Sequence, residues 1–516
     1  MMQPVLTTAQ SKGVDKHLIE EIGIPSLVLM ENAAGGAVAA IEDWLAGASE
    51  IAVVCGTGNN GGDGLAIARL LTEREHNVTI FLAGTPEKLS PDARVQYDAL
   101  SKLIDPDEVY SFETAEEIFD IVDGPDIVID ALLGTGSKGE PREAIAEGIR
   151  AINTFRSSSG AKVLAIDIPT GLDSDSGAAS ENVVIADRTV TMAAPKLGFY
   201  HGNARAYTGD IHIAPLGGSL PSAEGDRAFL VTAADLSIPP VAITSSKITR
   251  GRVLAICGSR GMTGAGIMSG GAALRSGCGM VTVALPESER RIVAQAVPEL
   301  LTVGIAELDG DPAPGAWFDL QDHLERVDVV LIGCGLKPAP HTTEFVLKVI
   351  ADVDKPMVID GGALGALATN LGVLNSRKSP TILTPHVGEL AKLVGRPWPE
   401  VERERIAVAR VLVEKYGVIV VAKGAPAEYT VTPDRTCYIN SSGNPGLATA
   451  GTGDVLAGMI ASFLAQGFEA SRAATTATYL HGLAGDFAAT ESTQHCMTAT
   501  DVIAFLPQAF KSIGAK

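Results

Sequence analysis

An α/β protein of two domains is predicted by three features of the sequence. Short apolar runs such as IAVVC, VTIFL and VLAIDI recur, and most of them run into glycine-rich or polar turns. The composition, 46% hydrophobic with 56 glycines, suits a chain of many strand-to-helix turns. The length, 516 residues, exceeds what one hydrophobic core organises.

The formal net charge of −21 excludes a nucleic-acid or anionic-membrane surface as the main partner. A nucleotide is not excluded, because it needs only a local pocket. The six cysteines lie far apart with no CxxC pair, which fits reduced thiols rather than disulfides or zinc. No basic stretch precedes an apolar leader, and no apolar run reaches membrane-spanning length. A soluble cytoplasmic enzyme is expected.

Taken in order, Thr8 to Trp44 has mixed three and four spacing of apolar residues and is expected to be helical. Ile51 to Cys55 is a buried strand. It runs into the loop GTGNNGGDG, Gly56 to Gly64, and then a helix beginning LAIARLL. This lacks the GxGxxG spacing of a dinucleotide fingerprint. It carries instead Asn59, Asn60, Gly61, Gly62 and Asp63, whose amide and carboxylate oxygens suit a hard cation or ribose hydroxyls. The plainer alternative is a turn that favours Asn and Gly for positive φ. Val78 to Leu82, Asp126 to Leu133 and Val163 to Ile168 are further strands. The last two carry Asp130 and Asp167 near their ends and exit into GTGSKGE, Gly134 to Glu140, and PTGLDSDSG. In parallel α/β sheets ligands bind beyond the carboxyl ends of strands, so these loops converge on one pocket. A lone Asp there is otherwise a helix cap. Thr189 to Lys196 reads as another strand and its exit.

From Pro215 to Ser246 periodicity disappears among Gly, Pro and Ser, and the domain boundary is expected near Gly225: domains 1–225 and 226–516. Arg252 to Cys257 restarts the pattern and leads to GSRGMTGAG and a small-residue helix. MVTVALP follows, then Val327 to Ile332 before GCGL, Pro356 to Asp360 before GGALG, Thr381 to Leu383 before TPHVGEL, and Val418 to Ala422 before KGAPAEYT. His386 at one strand exit is a ligand contact or a helix cap. Lys423 is a phosphate or ribose contact, or a lysine at a solvent-facing strand end.

The second half is organised around Asn444 to Gly458, NPGLATAGTGDVLAG. A glycine-rich turn opening a helix presents free N–H groups and a positive dipole end, which suit a phosphate. Asp454 is the wrong group to hold that phosphate and the right one to take a proton from a hydroxyl attacking it. The alternative is an acid in a first helical turn, favoured there anyway.

Both halves resemble known families. The motifs LMENAAGGAV, GNNGGDGLAIAR, DALLGTG and DIPTGLDSDSG, across the first 220 residues or so, resemble the YjeF N-terminal family, the NAD(P)H-hydrate epimerases. GSRGMTGAG, GCGL, TPHVGEL, KGAPA and NPGLATAGTGDVLAG resemble the ribokinase-like ADP/ATP-dependent NAD(P)H-hydrate dehydratases. The resemblance implies two three-layer α/β domains, one Rossmann-like and one ribokinase-like. It implies hydrated NADH and NADPH (NADHX, NADPHX) as substrates, ADP as co-substrate with Mg2+, a K+ ion in the first domain, and a homo-oligomer. Asp454 would be the catalytic base of dehydration and Asp167 the proton-handling group of epimerisation. Asn59, Asn60, Gly61, Gly62, Asp63, Asp167 and the loop Gly134, Thr135, Gly136, Ser137, Lys138, Gly139 and Glu140 would bind the hydrate in the first domain. Ala265, Gly335, His386 and Asp454 would bind it in the second. Lys423, Gly424, Ala425, Pro426, Ala427 and Gly453 would touch the nucleotide, and Asn60, Asp130 and Thr170 would hold potassium. Many relatives carry a Thr where this chain has Ala427, so fine nucleotide preference is open.

The rival reading is a small-alcohol kinase of the hydroxymethylpyrimidine or thiazole type with a non-catalytic ligand-binding first domain, since such kinases share the GTGD arrangement.

Overall fold

The computed structural model describes residues 2–105, 108–221 and 225–515, and residues 222–224 of the loosened segment lie outside it. The predicted α/β class is observed. The chain forms two compact units, Pro4–Gly225 and Asp226–Lys516, with Gln3 clustering in the second.

The first unit holds a seven-stranded parallel sheet in the order Val109–Ser111, Val78–Leu82, Ile51–Cys55, Ile127–Ala131, Lys162–Ile166, Arg188–Met192, Asp210–Ala214. Successive side chains of a strand face opposite ways, so apolar residues at every position bury both faces. Val53 and Ile129 pack beneath Ala34, Val38 and Leu65 on one side. Val54, Val128 and Val163 meet Phe112, Ile152 and Phe155 on the other. Chain direction across the sheet reverses between Ile51–Cys55 and Ile127–Ala131, opening a crevice beyond those two ends.

Asn59 to Asp63 do not form a loop: the helix Asn59–Glu73 begins at Asn59. Gly61 and Gly62 serve close packing rather than positive φ. A Cβ on Gly61 would overlap the Gly56 carbonyl, and one on Gly62 would lie 2.7 Å from Met30 Cε and 3.0 Å from Ala93 Cα. The expected N-terminal helix is broken into Thr8–Lys16, a wide turn His17–Glu21, and Ser26–Ala40 after Pro25.

The second unit holds an eleven-stranded sheet. From one edge the order is Gln3–Pro4, Ala228–Val231, Cys437–Asn440, Tyr429–Val431, Ile419–Ala422, Thr381–Leu383, Met357–Ile359, Val329–Ile332, Arg252–Ile256, Met280–Pro286, Leu301–Ile305. Tyr429–Val431 runs antiparallel to both neighbours. The alanine- and glycine-rich helices Thr263–Arg275, Thr452–Ala465 and Ala470–Ser492 cover one face, meeting Val253, Val283, Leu331 and Val421. The reversal falls between Arg252–Ile256 and Val329–Ile332. No helix among the described residues is long and apolar enough to cross a membrane.

Candidate active sites

In the first unit the crevice gathers Asn60, Asp130, Gly134, Thr135, Asp167 and Thr170. Asp167 follows the strand Lys162–Ile166 with φ of +66°, a conformation uncommon for a residue with a side chain and of the kind that concentrates at functional sites. Its Oδ1 lies 3.0 Å from Lys196 Nζ, and its Oδ2 accepts from the Thr135 N–H at 3.0 Å and from the Thr135 hydroxyl. Burial alone would raise this carboxyl, but Lys196 and the Thr135 donors outweigh it and hold Asp167 below the ordinary range. Two further acids behave oppositely. Burial and the Asp167 charge push Asp63 well up, and burial followed by Asp167 raises Asp15. The carboxyl held low thus sits beside two whose environment pushes them the other way, the kind of separation that divides a base from an acid.

Asn60 is buried, and both of its side-chain polar atoms lack hydrogen-bond partners among the described residues. Its Oδ1 would lie 3.3 Å from a Cβ on Gly134, and Asp167 Oδ2 3.2 Å from the same point. Asp130 is fully buried, and its carboxylate accepts from the Thr170 N–H at 2.8 Å, the Thr170 hydroxyl at 2.7 Å and the Leu132 N–H at 3.2 Å. Burial pushes it up to about 6. Asn59, by contrast, is exposed and accepts from the Ser90 hydroxyl at 2.6 Å. Gly136, Ser137, Lys138, Gly139 and Glu140 run out exposed. Ser137 turns back on the Gly134 carbonyl at 3.0 Å, and Glu140 accepts from the Glu181 N–H at 3.1 Å. Lys196 and Asp15 were not singled out from the sequence. A lysine following the apolar run TMAAP was the available signal for the first.

In the second unit Gly451, with φ of +94°, caps the helix Thr452–Ala465 and lets its first N–H groups face outward, with Asp454 in the first turn. A Cβ on Gly453 would lie 3.0 Å from Lys423 Nζ, so the lysine stands directly against the helix mouth. Lys423 is not at a solvent-facing strand end. It is largely buried and donates to Asp360 Oδ1 at 2.8 Å, which also accepts from the Thr384 hydroxyl at 2.6 Å. Burial would lower the lysine, but Asp360 and then Glu389 hold it above its ordinary range. Cys334 Sγ lies 3.5 Å from Asp360 Oδ2, and ligand atoms of Cys334, Asp360 and Asp454 all fall within 4.8 Å of one another. Burial, followed by the Asp360 charge, raises Asp454 to about 6.

If Asp454 acts as a base it must be ionised, so kcat/KM for the reaction it serves should be level above about pH 7 and fall about tenfold per unit as pH drops below 6. A profile level down to about pH 5 would contradict Asp454 as the titrating base.

Gly335, with φ of +68°, would place a Cβ 2.6 Å from Ala265 Cβ, so these two form one tight floor. His386 caps the helix Val387–Val394: its Nδ1 accepts from the Gly388 N–H at 3.0 Å and the Glu389 N–H at 3.4 Å, leaving Nε2 near Glu389 at 3.6 Å. The cap reading of His386 is therefore realised. Asp360 and Cys334 were missed in the sequence, although Asp360 ends an apolar strand as Asp130 nearly does.

A glycine-capped helix mouth with Asp454, Asp360 and an opposed lysine, on a mostly parallel sheet, fits the ribokinase-like class for the second unit. A solved ribokinase-like superfamily protein from Enterococcus faecalis V583 is 29% identical with a TM-score of 0.50, covering 56% of this chain and 97% of that one. The family described as NAD(P)H-hydrate dehydratase matches residues 253–508, and the YjeF-related protein N-terminus matches 26–198. A bifunctional NAD(P)H-hydrate repair enzyme of Moorella thermoacetica is 37% identical over 99% of this chain and 97% of its own, and one from Escherichia coli is 34% identical over 95% and 91%. The chain belongs to the family of bifunctional NAD(P)H-hydrate repair enzymes.

Proposed function

We propose that this chain returns hydrated NADH and NADPH to use: the first unit interconverts the R and S epimers, and the second dehydrates the S epimer at the expense of ADP. The observation that carries the reading is Asp454 at a glycine-capped helix mouth faced by Lys423, in a chain matched over its whole length by repair enzymes. Asp454 takes the proton from the ring hydroxyl, whose oxygen attacks the terminal phosphorus of ADP. AMP leaves, and Lys423 and the Gly453 N–H meet the charge on the transferred group. The ring nitrogen's lone pair then expels phosphate from the neighbouring carbon. Loss of a ring proton restores the double bond, so one phosphate and one AMP form per NAD(P)H. Magnesium would enter with the ADP phosphates. The thiol of Cys334 and the lysine-paired Asp360 make a poor ready-made site for so hard an ion.

Incubation with hydrated NADH and ADP should restore NADH absorbance and release phosphate in equal amounts. A phosphorylated product without NADH recovery would favour the small-alcohol kinase instead.

In the first unit Asn60, Asp130 and Thr170 fit a potassium ion. The buried Asn60 oxygen lacks a donor, and the partners of the Asp130 carboxylate are neutral. When bound, potassium would supply fixed positive charge to a phosphate or ring oxygen. Asp130→Asn should lower epimerisation about tenfold and remove its response to potassium, and a retained potassium response would place the ion elsewhere. A homo-oligomer in the cytoplasm completes the proposal: Ile19, Ile22 and Val28 offer apolar surface on the first unit, and all six cysteines are free.

A further inference from the structure

Arg405 is 1% exposed and opens the helix Arg405–Tyr416, between the motifs TPHVGEL and KGAPA and in neither. Its guanidinium donates to two carbonyls and faces a ring, with the Glu428 carboxyl near enough to feel its charge. Nη1 donates to the Ala427 carbonyl at 3.2 Å and Nη2 to the Ala425 carbonyl, and the Tyr429 hydroxyl lies 3.5 Å from Nη2. The guanidinium carbon stands 4.6 Å from the centre of the Tyr429 ring. A Cβ on Gly424, where φ is +148°, would overlap Nη1. The turn between Lys423 and Tyr429 is thus tied at both carbonyls and both flanks to one buried cation. At its start Lys423 faces the phosphate mouth at Gly453. Arg405 Nε is buried without a hydrogen-bond partner among the described residues.

Burying a guanidinium is costly, and a planar fork fixes two acceptors in a way a lysine does not. Such a group is retained where the shape it imposes matters. The only acid of the turn, Glu428, is pushed up to about 7 by burial, which mutes negative charge where an anion would approach.

We infer that Arg405 is a positioning residue that sets the shape of the turn 424–427 for the adenine nucleotide, and so governs nucleotide affinity without taking part in the transfer. This rests on the nucleotide reading of the second unit given above.

The test measures ADP affinity by calorimetry and steady-state constants for Arg405→Lys and Arg405→Met. Loss of the fork should weaken ADP binding and raise its KM about 10- to 100-fold, the worth of hydrogen bonds to a charged donor. The kcat at saturating ADP and the KM for the hydrate should stay within about threefold. Arg405→Lys, which keeps charge in the cavity, serves if Arg405→Met fails to fold. Unchanged ADP affinity in a folded variant would overturn the inference. So would a rise of both KM values together with a fall in kcat and melting temperature, which marks a merely structural arginine. Absence of ADP binding by the unaltered protein would instead sink the nucleotide reading itself, and with it this inference.

Discussion

Asp454→Asn should reduce dehydration by two orders of magnitude or more while ADP still binds. The change is nearly isosteric and sits in the first turn of the helix Thr452–Ala465, so the fold is expected to persist. Lys423 keeps its partner, because its 2.8 Å bond runs to Asp360 rather than Asp454. What is lost is the carboxylate proposed to accept the hydroxyl proton. Steady-state rates with hydrated NADH, read beside ADP titration calorimetry, check both halves of the expectation. Near-normal turnover would show that another group is the base. Asp360→Asn provides the contrast: it frees Lys423, so its effect should fall on nucleotide binding as well as on rate.

The second large effect is expected at Asp167. Asp167→Ala should leave the S hydrate fully used and stop consumption of the R hydrate beyond its spontaneous epimerisation. The substitution also strands Lys196, which is fully buried and 3.0 Å from the lost carboxylate. An uncompensated buried charge costs about 3–5 kcal/mol, so the first unit should melt earlier. Asp167→Ala combined with Lys196→Met removes both charges and should recover much of that stability while remaining inactive on the R hydrate. Assays on each purified epimer, beside thermal unfolding, separate loss of chemistry from loss of fold. Full use of both epimers by either variant would refute the role.

Parallel strands buried on both faces are legible because they read as unbroken apolar runs, which is why Ile51–Cys55 and Ile127–Ala131 stand out in the sequence. Asp130, Asp167 and the Gly451–Asp454 mouth are legible because each pairs an acid with nearby glycines at the end of an apolar run or the start of a helix. Half-exposed or short strands such as Asp210–Ala214 and Tyr429–Val431 leave no such run. The start of the helix at Asn59 is hidden by poor helix formers. Tertiary packing of Gly61 and Gly62 against Gly56, Met30 and Ala93 overrides their propensity. The pairs Lys196–Asp167, Lys423–Asp360 and Arg405 with Ala425 and Ala427 join residues from different elements or motifs, and spacing along the chain carries no trace of them.

Gln3 forms the rim of the eleven-stranded sheet although more than two hundred residues separate it from the rest of its unit. A gene cut at position 225 would therefore deliver a truncated catalytic fragment whose Ala228–Val231 border has bare backbone donors and acceptors. Such borders recruit other chains. The second half expressed alone should self-associate or precipitate through this border, and grafting the first few residues onto it should restore its solubility.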